Sequence, residues 1–85
     1  MNEKIKLYPN PSTGKFTMDI EMEQETLKNL SYEIILLNGS KVYHSPIPIS
    51  SHHTLVELPT QIHGTCYLII KDRTNPIFVK QLNIH

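Results

Sequence analysis

Five histidines and one cysteine are the residues of this 85-residue chain whose types could bind a metal or act as a nucleophile. His53, His63 and Cys66 flank one predicted loop, and imidazole and thiolate groups are ligands that Zn²⁺ prefers. A zinc site built from them is one hypothesis. Surface histidines beside a core cysteine are the simpler interpretation, since unpaired cysteine is among the most buried residue types. We therefore predict a packed Cys66, no metal site and no cofactor.

Four carboxylates, Asp19, Glu21, Glu23 and Glu25, stand at alternate positions and would point the same way from a strand. They lack the glycine turn that would wrap them around Ca²⁺, so a solvated strand face is expected. The chain also lacks a Gly-Xaa-Ser-Xaa-Gly elbow, a phosphate-binding glycine loop and a His-Glu-Xaa-Xaa-His motif. We therefore predict that it is not an enzyme and has no catalytic residue.

The most unusual segment begins at Tyr8 and reads Tyr-Pro-Asn-Pro-Ser-Thr-Gly. Pro9 and Pro11 fix φ and remove two backbone donors, and each proline pushes the residue before it, Tyr8 or Asn10, toward extended geometry. Gly14 permits a positive φ before the next strand begins. This stiff corner is either a rigid turn between strands or a recognition surface that loses little entropy on docking.

Apolar and polar residues alternate along much of the sequence, which predicts that these residues are positioned by β-strands. Residues 15–22 alternate apolar and polar side chains without a break, which predicts a strand with one wet face. Residues 32–37 contain a continuous apolar run, typical of a central strand covered on both faces. Asn38 and Gly39 follow as a turn pair that predicts a hairpin with residues 41–44.

Seven short strands at even spacing predict an all-β, immunoglobulin-like antiparallel β-sandwich. The segment 22–30 is too short for a firm helix and is predicted to be a hairpin loop. Pro46 and Pro48 favour an edge or a loop, and residues 72–76 favour a turn. The predicted strands are residues 5–8, 15–22, 32–37, 41–44, 54–58, 66–71 and 77–84.

Composition limits the class of partner. Eight basic residues balance eight acidic ones, so the chain lacks the clustered positive charge that nucleic-acid binding needs. It has no apolar run long enough to cross a bilayer, so no direct membrane insertion is predicted. Its length corresponds to one domain.

Residues 8–16 (Tyr-Pro-Asn-Pro-Ser-Thr-Gly-Lys-Phe) resemble the opening motif of the C-terminal sorting domains of the type IX (Por) secretion system, type A. Residues 33–42 are similar to the central hairpin of that family, with Gly39 as the turn glycine. Residues 64–72 are similar to its penultimate strand, and residues 79–84 look like its closing strand. The blocks follow the family's order and cover nearly the whole chain.

The resemblance implies that residues 1–85 form a single C-terminal sorting domain excised from a larger secreted protein of a Bacteroidetes-type bacterium. Its cargo would cross the periplasm in transit to the cell surface or the extracellular space. The implied partners are the outer-membrane type IX translocon, which recognises the folded domain, and a surface sortase, which removes it. The oligomeric state is left open.

The resemblance also implies which residues are recognised. They are expected at the corner, at the hairpin and along the last strand: Tyr8, Pro9, Asn10, Pro11, Gly14, Gly39, Gly64 and Lys80. An edge strand at residues 77–84 could pair with a partner's sheet by β-augmentation. The alternative function is an immunoglobulin-like adhesion or carbohydrate-binding module of a secreted enzyme, which predicts exposed aromatic side chains grouped on one face.

Overall fold

The computed structural model describes residues 5–8, 14–22, 24–47 and 53–84 of the chain. Within these ranges the chain forms seven strands and one helical turn. The elements are β1 (Ile5–Tyr8), β2 (Lys15–Ile20), α1 (Gln24–Leu27), β3 (Leu30–Leu36), β4 (Lys41–Pro46), β5 (His53–Glu57), β6 (Gly64–Asp72) and β7 (Asn75–Ile84).

The strands form two antiparallel sheets, which confirms the predicted sandwich. One sheet has three strands in the order β1-β2-β5, and the other has four in the order β4-β3-β6-β7. The chain crosses between the two sheets three times, after β2, β4 and β5, and such crossings are typical of immunoglobulin-like sandwiches. Strands β1 and β5 are the edges of the smaller sheet, and β4 and β7 are the edges of the larger one.

The core lies between the sheets and is built from the inward positions of each strand. In β2 the predicted alternation is confirmed, since Phe16, Met18 and Ile20 are buried while Lys15 is exposed. The larger sheet contributes three residues at alternate positions of β6, all fully buried: Cys66, Leu68 and Ile70. Two faces with the same period therefore interdigitate, which is how aligned sheets exclude water.

The predicted central position of β3 in its sheet is confirmed, but the prediction that both faces of this strand are buried is wrong. Leu30, Tyr32 and Ile34 are buried on the inner side. On the outer side the buried residue is Glu33, and Leu37 lies in the turn with 68% of its surface exposed. The run is thus not covered along both faces, because the hairpin turn begins before the run ends.

The predicted hairpin loop at residues 22–30 is wrong. Strands β2 and β3 belong to different sheets, so the segment between them crosses one end of the sandwich. It does so with the helical turn α1, whose Leu27 is buried in the core. The Asn29 side-chain amide donates a hydrogen bond to the Glu25 carbonyl at 3.3 Å, which holds the end of this turn.

The last strand begins earlier than predicted, at Asn75 rather than Ile77. Only Arg73 and Thr74 form the turn, and Arg73 has a positive φ of 60°. Pro76 lies inside β7, opposite Lys71, where the register shifts. An edge strand tolerates proline where its missing N–H faces away from the ladder, and Pro46 likewise ends the edge strand β4. Pro48 lies outside the described residues.

No helix in the described ranges combines the length and the apolar character that a membrane span requires.

The burial of Cys66 gives a test of the core. Burial raises the pKa of its thiol, and its side chain has no exposed surface. We expect a thiol reagent to label the native chain only as fast as the chain unfolds, and labelling to accelerate in parallel with urea unfolding. A Leu55→Cys substitution in a Cys66→Ala background serves as the control, because Leu55 is exposed. Rapid labelling of native Cys66 would contradict this packing.

Candidate functional site

Four of the predicted recognition residues lie at one end of the sandwich, which we call the turn end. Tyr8 ends β1, and Gly14 directly precedes β2. Gly39 lies in the turn between β3 and β4, and Gly64 begins β6 opposite Ile84. The antiparallel register fixes this grouping, because strands that run in opposite directions start and finish at the same end.

The Gly39 turn has the geometry that its sequence predicts. Gly39 has a φ of 90°, which a side chain rarely adopts, and its N–H donates to the Leu36 carbonyl at 2.9 Å. The Leu36 N–H donates to the Ser40 carbonyl at 2.9 Å, and the Ser40 N–H donates to Asn38 Oδ1 at 2.9 Å. Nothing lies within 4 Å of a Cβ added to Gly39, so the backbone of the turn is open on this side.

Gly14 joins the two sheets at the same end. Its carbonyl accepts a hydrogen bond from the Leu58 N–H at 2.8 Å. A Cβ at this position would lie 3.8 Å from Ile84 Cγ2, so the start of β2 packs closely on the end of β7. The predicted corner residues Pro9, Asn10 and Pro11 lie outside the described residues.

Tyr8 also lines a groove, together with the fifth candidate that the structure describes, Lys80. The groove has a volume of about 610 Å³ and runs between β1 and β7. Its lining residues are Ile5, Lys6, Leu7, Tyr8, Phe78, Val79 and Lys80. Lys80 is opposite Leu68, at mid-strand rather than at the turn end. The structure therefore divides the described candidates between a turn end and a groove on the open side of the sandwich.

The strongest electrostatic feature is Glu33, whose side chain is only 5% exposed on the outer face of the larger sheet. Its Oε2 atom lies 3.1 Å from Lys41 Nζ and 3.2 Å from Lys71 Nζ. Lys41 comes from β4 and Lys71 from β6, so the cluster joins the three strands β4, β3 and β6. Burial alone would raise the pKa of Glu33, but hydrogen bonds and charge from Lys41 and Lys71 outweigh it and lower the pKa.

Sequence reasoning missed this cluster, although a weak signal was present. Glu33 interrupts an otherwise apolar run in a central strand, which indicates that basic residues of the neighbouring strands lie beside it. The register of the predicted hairpin already brings Lys41, opposite Ile35, close to Glu33. The proximity of Lys71 to Glu33 can be deduced only once the pairing of β3 with β6 is known. The sequence also did not identify Lys6 as a groove residue. The groove exists only because β1 and β7, which are far apart in sequence, lie beside each other.

The arrangement of the described residues supports neither the zinc hypothesis nor the calcium hypothesis. Among the residues that the structure describes, no group of three or more His, Cys, Asp or Glu side chains is arranged to hold a metal ion. His53 Nδ1 lies 3.5 Å from Asp19 Oδ1, while Cys66 is buried in the other sheet. Glu25 pairs instead with Lys28 at 2.9 Å, and Glu23 lies outside the described residues.

The aromatic residues do not form an exposed platform of the kind that sugars stack on. Phe16 and Tyr32 are buried, and burial raises the pKa of Tyr32 to about 12, helped by the neighbouring Tyr43. Tyr43 and Phe78 pack partly against the core. Within the described part of the chain, Tyr8, at 45%, is the one exposed aromatic side chain, and it lies in the groove.

Comparison with known protein families gives one match. The family model described as the secretion system C-terminal sorting domain matches residues 6–85. No curated protein and no solved structure matches the chain.

Acid should weaken the sandwich through Glu33. Its lowered pKa means that it stabilises the fold fully above its ordinary value of 4.5 and that this contribution disappears as pH falls through the folded pKa. We expect Glu33→Gln to lower the free energy of unfolding by about 1–2 kcal/mol at pH 7, measured by urea titration. The difference from the unmodified chain should shrink below pH 4.5.

Glu25→Gln is the matched control, because the Glu25 side chain is 85% exposed and pairs only with an exposed lysine. Its urea midpoint should stay close to that of the unmodified chain at both pH values. A Glu33→Gln effect no larger than the Glu25→Gln effect would show that the cluster does not stabilise the sheet.

Proposed function

The chain belongs to the family of secretion system C-terminal sorting domains, and from that premise we propose that it directs a cargo protein across the outer membrane through the type IX secretion system. In this proposal the translocon recognises the folded sandwich, and a surface sortase then removes it. The cargo passes through the periplasm and is delivered to the cell surface or released. The domain is the sortase's substrate and catalyses nothing itself.

The family match over residues 6–85 carries the proposal, and the packing supports a purely structural role for the buried ionisable groups. Cys66 is enclosed by the core, and Glu33 is neutralised by two lysines. A nucleophile or a general base must be accessible to substrate. Neither group meets that condition.

The grouping of Tyr8, Gly14, Gly39 and Gly64 supports the turn end as the recognised surface. These residues are far apart in sequence, so only the folded sandwich presents them together. The turn at Gly39 is rigid, because its backbone is fixed by hydrogen bonds at 2.9 Å. A rigid surface loses little entropy when a translocon protein docks on it.

A reporter fusion tests the export role. Residues 1–85 are placed behind a periplasm-directed reporter in a bacterium that has the type IX system. We expect the reporter at the cell surface, accessible to added protease, and retained inside when the segment is deleted. Mass spectrometry of the delivered reporter should show the domain removed, and a strain without the sortase should keep it attached. Equal surface delivery without the segment would refute the proposal.

Two asparagine substitutions separate recognition from folding. Gly39→Asn keeps a residue type that tolerates positive φ but adds a side chain to open space at the turn end. Arg73→Asn places the same residue type at a non-glycine position of positive φ in the β6–β7 turn, at the opposite end of the sandwich. We expect both variants to keep their urea midpoints to within about 1 kcal/mol in stability. Surface delivery should fall several-fold for Gly39→Asn only, and equal delivery of both variants would exclude the Gly39 turn from recognition.

A further inference from the structure

The groove between β1 and β7 is the open side of the sandwich, where the edge strands of the two sheets lie beside each other. Among the described residues, β1 pairs only with β2 and β7 pairs only with β6. Leu7 and Phe78 in its lining are partly buried and pack against the core. The groove thus combines apolar walls with two strand edges, the features that β-augmentation uses.

Lys80 gives this groove its charge. It stands opposite Leu68, which is fully buried, and residues directly opposite each other in an antiparallel pair share a face. Lys80 therefore lies on the core-facing side of β7, where Leu82 and Ile84 are buried, yet it remains exposed. Lys6 of β1 also lines the groove, but it stands opposite Asp19, on the outer face of β1. Neither lysine forms an ion pair with any residue in the described part of the chain.

An inward-facing lysine on an edge strand disfavours pairing with a second copy of the same edge. Two β7 strands side by side would bring two Lys80 ammonium groups into one apolar groove, and natural sheets use such charges to prevent self-association. The same lysine favours a strand that carries a carboxylate. Charge complementarity therefore points to a partner chain rather than to a second sorting domain.

We infer that the groove binds an extended, apolar and acidic segment of a partner protein, which adds as a strand to the edge of β7 over residues 77–80. Side chains on the inner face of the added strand are two positions apart, matching Phe78 and Lys80. The segment therefore carries an apolar side chain against Phe78 and, two residues away, a carboxylate near Lys80. The inference rests on the proposed function only in assigning this segment to the export machinery.

A designed peptide tests the pairing directly. The peptide has the sequence Thr-Val-Thr-Glu-Thr-Val-Thr, so that one face of the strand carries the apolar–acidic–apolar pattern. A fluorescent label on the peptide reports binding through a change in anisotropy. A second peptide has Gln in place of Glu. We expect the Glu peptide to bind the 85-residue chain about three- to tenfold more tightly than the Gln peptide, since each exposed ion pair contributes up to about fivefold. Salt should reduce this preference.

Four variants locate the site. Lys80→Gln should remove most of the preference for Glu over Gln, Lys6→Gln should remove less of it because Lys6 lies on the outer face of β1, and the double variant should abolish it. Lys28→Gln removes the same charge from the helical turn, where Lys28 pairs with Glu25, and should leave the preference unchanged. Circular dichroism melting checks that all four proteins stay folded, which is expected because these lysines are solvent-exposed.

Strand addition has its own readout in the peptide backbone. An edge strand bonds alternate N–H groups of its partner, so N-methylation of one alternate set should abolish binding and N-methylation of the other should not. The inference is overturned if neither set matters, if the Glu and Gln peptides bind equally, or if Lys28→Gln acts like Lys80→Gln. It is also overturned if sedimentation shows the chain dimerising through the groove and excluding the peptide.

Reporter export and peptide binding fail separately. A chain that exports its reporter but does not bind the Glu peptide retains the proposed function and refutes the groove. A chain that binds the peptide with Lys80-dependent selectivity but does not export its reporter keeps the groove and refutes the export role.

Discussion

The packing of two period-2 faces against each other is the interaction on which this protein depends. Met18 from the smaller sheet and Ile34, Leu68 and Ile70 from the larger one are fully buried. A domain of this size buries a modest fraction of its chain's surface, so few side chains supply most of the hydrophobic stabilisation. Removing one large core side chain typically costs about 2–5 kcal/mol, a large share of a small domain's total stability.

That dependence explains where polar groups are tolerated. Glu33 occupies an outer position of a central strand and is buried only because Lys41 and Lys71 reach over it from both sides. Lys80 occupies an inner position of an edge strand and stays solvated because the sandwich is open beside it. Each charge thus lies where the two-sheet core is not disturbed. The surfaces that we propose for a partner, the turn end and the groove, lie outside this core.

Local pattern sufficed to predict most of the strands and the Asn38-Gly39 turn, because alternation and turn chemistry act over a few residues. The errors lie where distant elements meet. The segment at residues 22–30 was misjudged because a loop looks alike whether it joins neighbours in one sheet or crosses between two. The start of β7 was misjudged because Pro76 is a strand breaker except at an edge, and edges are set by the whole topology. Grouping Tyr8 with Lys80 likewise required the spatial proximity of β1 and β7.

Each sheet contains one pairing between strands that are distant in sequence, and this has a kinetic consequence. Strand β5 joins β2 only after more than thirty intervening residues, and β6 reaches β3 over a comparable separation. Such non-local pairing is slow, in the range of milliseconds to seconds, because loop closure precedes any gain from contact. It also makes folding all-or-none, since a partly assembled sheet leaves the core open. In the proposed function, recognition of the folded sandwich therefore distinguishes a finished domain from a nascent one.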